Sequence, residues 1–282
     1  MMKEDETMKK DEIQNLVTAG IYSLQKSLAA GESRQLKEVL AVMARFPRYS
    51  FNNCLLIFQQ RPDARKVQGF HAWKKIGRTV KKGEKGIGIS APLSCRTDES
   101  DSDDKMVRGF RVVHVFDISQ TEGKELPRLA QPEGEADKWI PAVEVLIQSH
   151  DIDLRYEELA GNAEGVSSIG TIVIRRDLPP AKRLSVLVHE LAHELLHDRN
   201  TRRELSTAVK ETEAEAVAHV VCSAMSVDCL EHSSEYIHLQ PGGAEAFVDC
   251  MKRIQQCASG ILQSLQIEEL NAQTEPAPTL AA

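Results

Sequence analysis

The stretch that most restricts this chain runs from Pro179 to Asp198. Ser185–Leu187, Leu191, Leu195 and Leu196 recur at helical spacing, so an amphipathic helix is the regular structure that buries them together. Asp177-Leu-Pro-Pro opens it, since proline in a first turn gives up no hydrogen bond within the helix. Within this helix Val188-His189-Glu190-Leu191-Ala192-His193 sets two imidazoles one turn apart on one face. Such a pair can share one zinc ion. Glu190 lies at the edge of the same face, within reach of a water on that ion.

Zinc that acts on a substrate takes three protein ligands and leaves a fourth position open. A second helix, expected over about 203–225, carries Glu211-Thr-Glu213-Ala-Glu215-Ala. Glu211 is the expected third ligand, and Glu215, one turn further on the same face, is placed to hydrogen-bond a ligating histidine. Glu213 points elsewhere, with Ala216, Val217 and Val220. Acids beside Ala216, Val217, Val220 and Val221 sit poorly on a wholly solvated helix. His197 lies two turns from His189, about 12 Å along the axis, too far to share the ion unless the helix breaks. No glycine turn follows the second histidine, which excludes the metzincin pattern. The chemistry implied is water activation, with Glu190 taking the proton. His219, His232 and His238 are expected to be structural or on the surface. Nothing in the sequence identifies an oxyanion partner; Tyr156, Tyr236 and these histidines are candidates.

Charge divides the chain. Residues 1–127 hold 22 Lys and Arg against 17 Asp and Glu, whereas the remaining residues hold 13 against 25. A basic half joined to an acidic half suggests an anion-binding domain followed by a different one. Helical periodicity over Ile13–Leu28, stopped by Gly31, is followed by a helix through Leu36–Met43 and a third through Leu55–Phe58. After Pro62 the glycine-punctuated pieces Val67–Phe70, Arg78–Val80 and Gly86–Pro92 read as short strands or turns rather than helices. Cys95–Lys105 reads as an exposed acidic loop, Phe110–Ile118 as a strand and Thr121–Glu135 as linker. The second half reads as helix 136–150, strands at Leu154–Leu159 and Thr171–Arg176 around a glycine-rich loop, the two motif helices, and a long helix over 244–270. The expected class is therefore α+β in two domains: 1–126, a linker at 127–135, 136–270, and a loose tail at 271–282. No run of about 18 apolar residues exists, which argues against a membrane partner, and the first twelve residues lack the apolar run of a secretory signal. A cytoplasmic protein is expected, its six cysteines buried free thiols.

Residues 65–90 contain eight Lys or Arg and one acid, Glu84, with Phe70, His71 and Trp73 interleaved. Phe70, Trp73, Lys74, Lys75, Arg78, Lys81, Lys82 and Lys85 form the combination single-stranded nucleic acid wants: cations for phosphates and aromatic faces for bases. A solvated basic hairpin with Phe70 and Trp73 in a core fits the composition equally well. A phosphate-cradling Walker loop is absent.

The segments "SVLVHELAHELLH" and "ETEAEAVA" resemble zincin-like metallopeptidases of the ImmA/IrrE type. The second is also similar to the Glu-x-x-x-Asp motif of CaaX-type proteases, with the longer Glu215 at the Asp position. The resemblance favours Glu211 over Glu213 as ligand. "RYSFNNCLLIFQQRPDARKVQGFHAWKKIGRTVKKGEKGIGISAPL" and "VFDISQTEGKELP" resemble the N-terminal domain of ArdC-type antirestriction proteins. That resemblance covers about residues 10–270. It implies a single-stranded-DNA-binding domain joined to a zinc metallopeptidase-like domain, in plasmid or conjugation biology, where incoming DNA is protected from host restriction. A restriction-system or regulatory protein is the peptide substrate this reading allows. Two rivals stand beside it: a regulatory zinc metallopeptidase that cleaves a repressor, and a DNA-binding protein whose zinc is structural.

Overall fold

A computed structural model describes residues 10–96, 105–126, 136–197, 205–227 and 243–265. Helices and strands mix in an α+β fold of two compact units. The first contains the described residues of 10–23 and 52–126, and the second those of 24–51 and 136–265. This division departs from the expected cut at 126, because residues 24–51 pack with the second unit.

The first unit holds the N-terminal part of α1 (Lys10–Ala29), then α3 (Phe51–Gln60), β1 (Val67–Gly69), α4 (Phe70–Lys75), β2 (Arg78–Val80), β3 (Ile87–Arg96), β4 (Lys105–Asp117) and β5 (Thr121–Gly123). β1, β4 and β3 form an antiparallel sheet in that order, and β2 pairs antiparallel with β5. Thr121–Gly123, expected in the linker, is therefore a strand. The 127–135 part of that linker, and most of the Cys95–Lys105 loop, lie outside the described residues.

β3 is an edge strand, and the outward peptide groups of its Gly88 and Ser90 are satisfied by side chains of α3. Asn53 accepts from the Ser90 N–H and donates to its carbonyl, and Gln60 does the same at Gly88, all at 2.8–2.9 Å. Two amides thus cover an edge that would otherwise invite another strand. Asp117 is the polar hub of the unit. It is 2% exposed and accepts from the Arg65 and Lys66 N–H groups and from the N–H and hydroxyl of Ser119. Burial pushes its carboxyl up, but these bonds outweigh it and hold the carboxyl below its ordinary value. Gln120 completes a capping box with Asp117 and donates to Glu84 and to the Lys85 carbonyl, which fixes the turn between β2 and β3.

Trp73 corrects the sequence reading. The segment after β1 is a short helix, and on it Trp73 is completely buried, its indole N–H donating to the Phe116 carbonyl at 2.8 Å. A ring enclosed on both faces presents nothing for a base to stack on. It is a core residue.

The second unit is built from α2 (Arg34–Arg45), α5 (Ala136–Ser149), β6 (Asp153–Glu157), β7 (Gly165–Ser168), β8 (Thr171–Arg175), α6 (Pro180–Leu196), α7 (Thr207–Ala224) and α8 (Ala244–Ser264). β6 runs parallel to the central β8, and β7, inside the expected glycine-rich loop, pairs antiparallel on its other side. α6 packs on the sheet, on α5 and on α7, while α2 and α8 pack on α7. Leu36, Val39, Leu40 and Met43 give α2 a wholly buried face. The turn after α2 is pinned to α8: Gln255 donates to the carbonyls of Pro47 and Tyr49, and Phe51 meets Phe247 edge to face. Cys54, Cys222 and Cys250 are buried free thiols, and Cys257 is only partly buried. No described helix is long and apolar enough to cross a membrane.

Replacing Trp73 with alanine is expected to cost about 3–5 kcal/mol, the usual range for emptying a large aromatic site. Trp73→Phe, which loses the bond to the Phe116 carbonyl, should cost about 1–3 kcal/mol. Denaturant unfolding measures both; an alanine variant as stable as the parent would show that the ring is not core.

Candidate functional site

α6 and α7 lie side by side, and three ligand atoms converge between them. His189 Nε2 and His193 Nε2 are 3.1 Å apart, and Glu211 Oε2 lies 3.3 Å from the first and 3.5 Å from the second. A tetrahedral ion with bonds of about 2.0–2.1 Å holds its ligand atoms about 3.3–3.4 Å apart. The donor set therefore fits a divalent metal in both chemistry and spacing. These three form the one such cluster among the described residues. The Glu211 side chain is 56% exposed, so this side of the cluster opens to solvent.

The supports are on the same two helices and on β7. Glu215 Oε2 stands 3.5 Å from His189 Nδ1, behind the imidazole. Glu190 is buried at the foot of the cluster, against Gly165 of β7. A methyl group at Gly165 would come 2.6 Å from Glu190 Oε1 and 2.6 Å from Val186, so only glycine leaves the carboxylate its place. Glu194, on the next turn, ties β7 to α6 by accepting from the Ser167 hydroxyl and the Gly170 N–H.

Electrostatics leave the cluster rich in negative charge. Burial works against a proton on His189, but Glu211, Glu215 and Glu190 outweigh it and raise its pKa to about 9. Burial dominates at His193 and lowers its pKa. Hydrogen bonds from both histidines hold Glu211 far below the ordinary carboxylate range. A cation placed among these groups replaces a proton that the carboxylates already attract.

Two residues set aside in the sequence also stand here. α6 ends at Leu196, and His197, at φ −117° and ψ 72°, leaves the helical path. Its ring is buried with Nδ1 3.0 Å from His193 Nδ1 and Nε2 3.0 Å from Glu213 Oε2. Glu213 is fully buried and also accepts from Arg253 of α8. Burial pushes its carboxyl up, yet His197, Cys250 and Arg253 hold it down. No sequence signal marked Arg253, Glu194 or Gly165.

In the first unit, Phe70 is 39% exposed, edge-on to Phe116, with Lys74 Nζ 4.8 Å above its ring. Lys74, Lys75, Lys82 and Lys85 are exposed. Lys81 is exposed and donates to the Ser119 carbonyl. Arg78 is turned inward: its Nε donates to Thr121 Oγ1, and its two Nη atoms to the carbonyls of Lys124 and Thr121. It clamps β2 to β5. With Trp73 in the core, Phe70 is the exposed aromatic of the basic segment.

Fold and site together define a two-domain α+β protein with an H-E-x-x-H centre. Comparison with known proteins makes this specific. The chain matches the N-terminal domain of anti-restriction factor ArdC over residues 7–130 and the IrrE N-terminal-like domain over residues 147–224. It is an ArdC-type two-domain protein. The metal-free crystal structure of antirestriction protein ArdC from plasmid R388 covers 93% of this chain and 100% of its own, at 18% identity and a TM-score of 0.50. Its Mn(II)-bound form covers 92% and 99%, at 17% identity and 0.51. These share the fold. An uncharacterised Bacillus anthracis protein is 26% identical over 290 residues, 84% of this chain and 49% of its own. The chain thus spans about half the length of that curated relative.

A metal must displace the proton that His189 holds up to about pH 9. Ion uptake at neutral pH should then release about one proton, and apparent affinity should fall about tenfold for each pH unit below that value. Calorimetry in buffers of different ionisation enthalpy reads the proton; heats independent of buffer would overturn the assignment. His189→Ala and His193→Ala should abolish uptake, Glu211→Gln should weaken it, and Glu190→Gln should leave it intact.

Proposed function

We propose that this chain is an antirestriction protein. Its first unit binds single-stranded DNA, and its second holds one zinc ion on His189, His193 and Glu211. The carrying observation is that the ArdC N-terminal domain and an IrrE-like domain with a converged two-His, one-Glu donor set occur in one chain. Two imidazoles and a carboxylate suit zinc. The Mn(II)-bound R388 structure supports a divalent ion at the equivalent fold.

The residues then take these roles. His189, His193 and Glu211 hold the ion, and Glu215 steadies His189 from behind. When bound, a zinc ion would polarise a water and a carbonyl. Glu190, buried and fixed by the close approach of Gly165, accepts a proton on its carboxylate and returns it to a leaving amine. β7 is the edge of its sheet beside Glu190, and Val166 and Ile169 expose apolar side chains there. An unpaired strand edge accepts an extended peptide. That favours cleavage of a restriction-system or regulatory protein over a zinc that is only structural. In the first unit the exposed lysines meet phosphates and Phe70 offers a ring face to a base.

Transformation of a restricting host with unmodified plasmid, with and without the full-length protein, tests the reading. The wild-type chain should raise recovery; no gain over a vector control would overturn it. Glu190→Gln separates the readings: loss of protection in this variant would mean that protection requires the hydrolytic centre, and retained protection that it does not. For DNA, single strands should outcompete duplex. Lys74→Ala, Lys82→Ala and Lys85→Ala together should flatten the salt dependence by about 2, at about 0.7 per phosphate contact. An unchanged slope would remove these lysines from the interface.

A further inference from the structure

A chain of polar contacts runs from α8 to the back of the metal ligand His193. Arg253 donates to Glu213 Oε1. Glu213 Oε2 lies 3.0 Å from His197 Nε2. His197 Nδ1 lies 3.0 Å from His193 Nδ1. The Glu213 and His197 side chains are fully buried, so no water competes for these positions.

Each donor role follows by elimination. Arginine has donors only, and a carboxylate paired with it accepts only. An imidazole that carries one proton and donates it from Nε2 to Glu213 keeps its lone pair on Nδ1, and this is the role of His197. His193 must donate from Nδ1 into that lone pair, so its own lone pair is on Nε2. Nε2 is the atom that stands 3.1 Å from His189 Nε2 and 3.5 Å from Glu211 Oε2. We infer that Arg253, Glu213 and His197 are positioning residues whose hydrogen-bond polarity, set at the guanidinium, fixes His193 in the tautomer that presents Nε2 to a metal. The inference rests on the metal-centre reading above. It adds a directed line of four side chains to a centre otherwise described by its ligands.

Glu213→Gln distinguishes polarity from packing, because the two side chains have the same shape. Arg253 claims the amide oxygen of the glutamine, and its NH2 then faces His197. His197 must accept at Nε2 and donate from Nδ1, which puts the proton of His193 on Nε2, against the metal. Adding Arg253→Met releases the amide, so its oxygen can turn to His197 and restore the original direction.

Cobalt(II) binding to the full chain, measured by chelator competition and by the visible absorption of the bound ion, reads this directly. Glu213→Gln should bind about 10–100-fold more weakly than wild type, the usual cost of disturbing a ligand's hydrogen-bond partner. Glu213→Gln with Arg253→Met should recover most of that loss, although it removes a second native side chain. Should Glu213→Gln fail to fold, His197→Phe carries the test, since it removes the acceptor of His193 Nδ1 and should weaken binding about tenfold or more. Wild-type affinity in Glu213→Gln or in His197→Phe would overturn the inference. So would a double variant as weak as the single one, which is the signature of packing alone. A wild-type chain that takes up no cobalt would instead overturn the metal centre itself.

Discussion

The rotation of α6 about its own axis decides whether the centre exists. Leu184, Leu187, Val188, Leu191 and Ala192 are all completely buried, and at about 100° per residue they fill one arc of about 140°, in a helix packed against α5, α7 and the sheet. A helix gripped on that many sides cannot roll. His189 and His193 lie in the remaining arc, so the apolar contacts aim the imidazoles before any polar contact forms. α7 is held in the same way by Ala214, Val217, Ala218 and Val221, which leaves Glu211 and Glu215 on the side that meets the histidines. The geometry of the cluster is thus a by-product of core packing on two neighbouring helices.

What packing supplies in position, the acids supply in charge. Glu190, Glu211 and Glu215 stand close to two histidines, and the proton held by His189 is the mark of that imbalance. Without a cation, the site draws protons; the proposed reading gives the same carboxylates the roles of ligand, support and base. The buried Glu213 is kept apart from this group by its bonds to Arg253 and His197. Glu190, Glu211, Glu213 and Glu215 are thereby set apart by their partners rather than by their type.

Much of this was legible in the residues. Period and spacing place both motif helices, and i, i+4 geometry selects His189 with His193 and Glu211 with Glu215. The misreadings have physical causes. An aromatic among lysines looks the same whether it faces solvent or a core, and only the bond from Trp73 to the Phe116 carbonyl tells the cases apart. The helix 70–75 is too short to show a period, and β7 is hidden by the glycine that lets it pass Glu190. His197 stands outside the ligand group, as its distance from His189 in sequence predicts, but its contact with His193, one turn before it, carried no signal of its own. Arg253 lies 40 residues from Glu213, and nothing local announces such a pair.

Residues 24–51 precede the basic segment yet belong to the body of the metal centre. Gln255 and Phe247 hold them there, and α2 backs the helix that carries Glu211. The span matched by the ArdC N-terminal model, 7–130, therefore does not coincide with a packing unit. Residues 52–126 are an insert within the body formed by 24–51 and the chain after the linker. A ribosome making this protein must hold the buried face of α2 unsatisfied until α7 and α8 emerge, more than 150 residues later. For the same reason, a recombination that exchanged the two halves after residue 126 would strip the body that holds the donor cluster of one wall. The two packing units have to be inherited as a single piece of coding sequence.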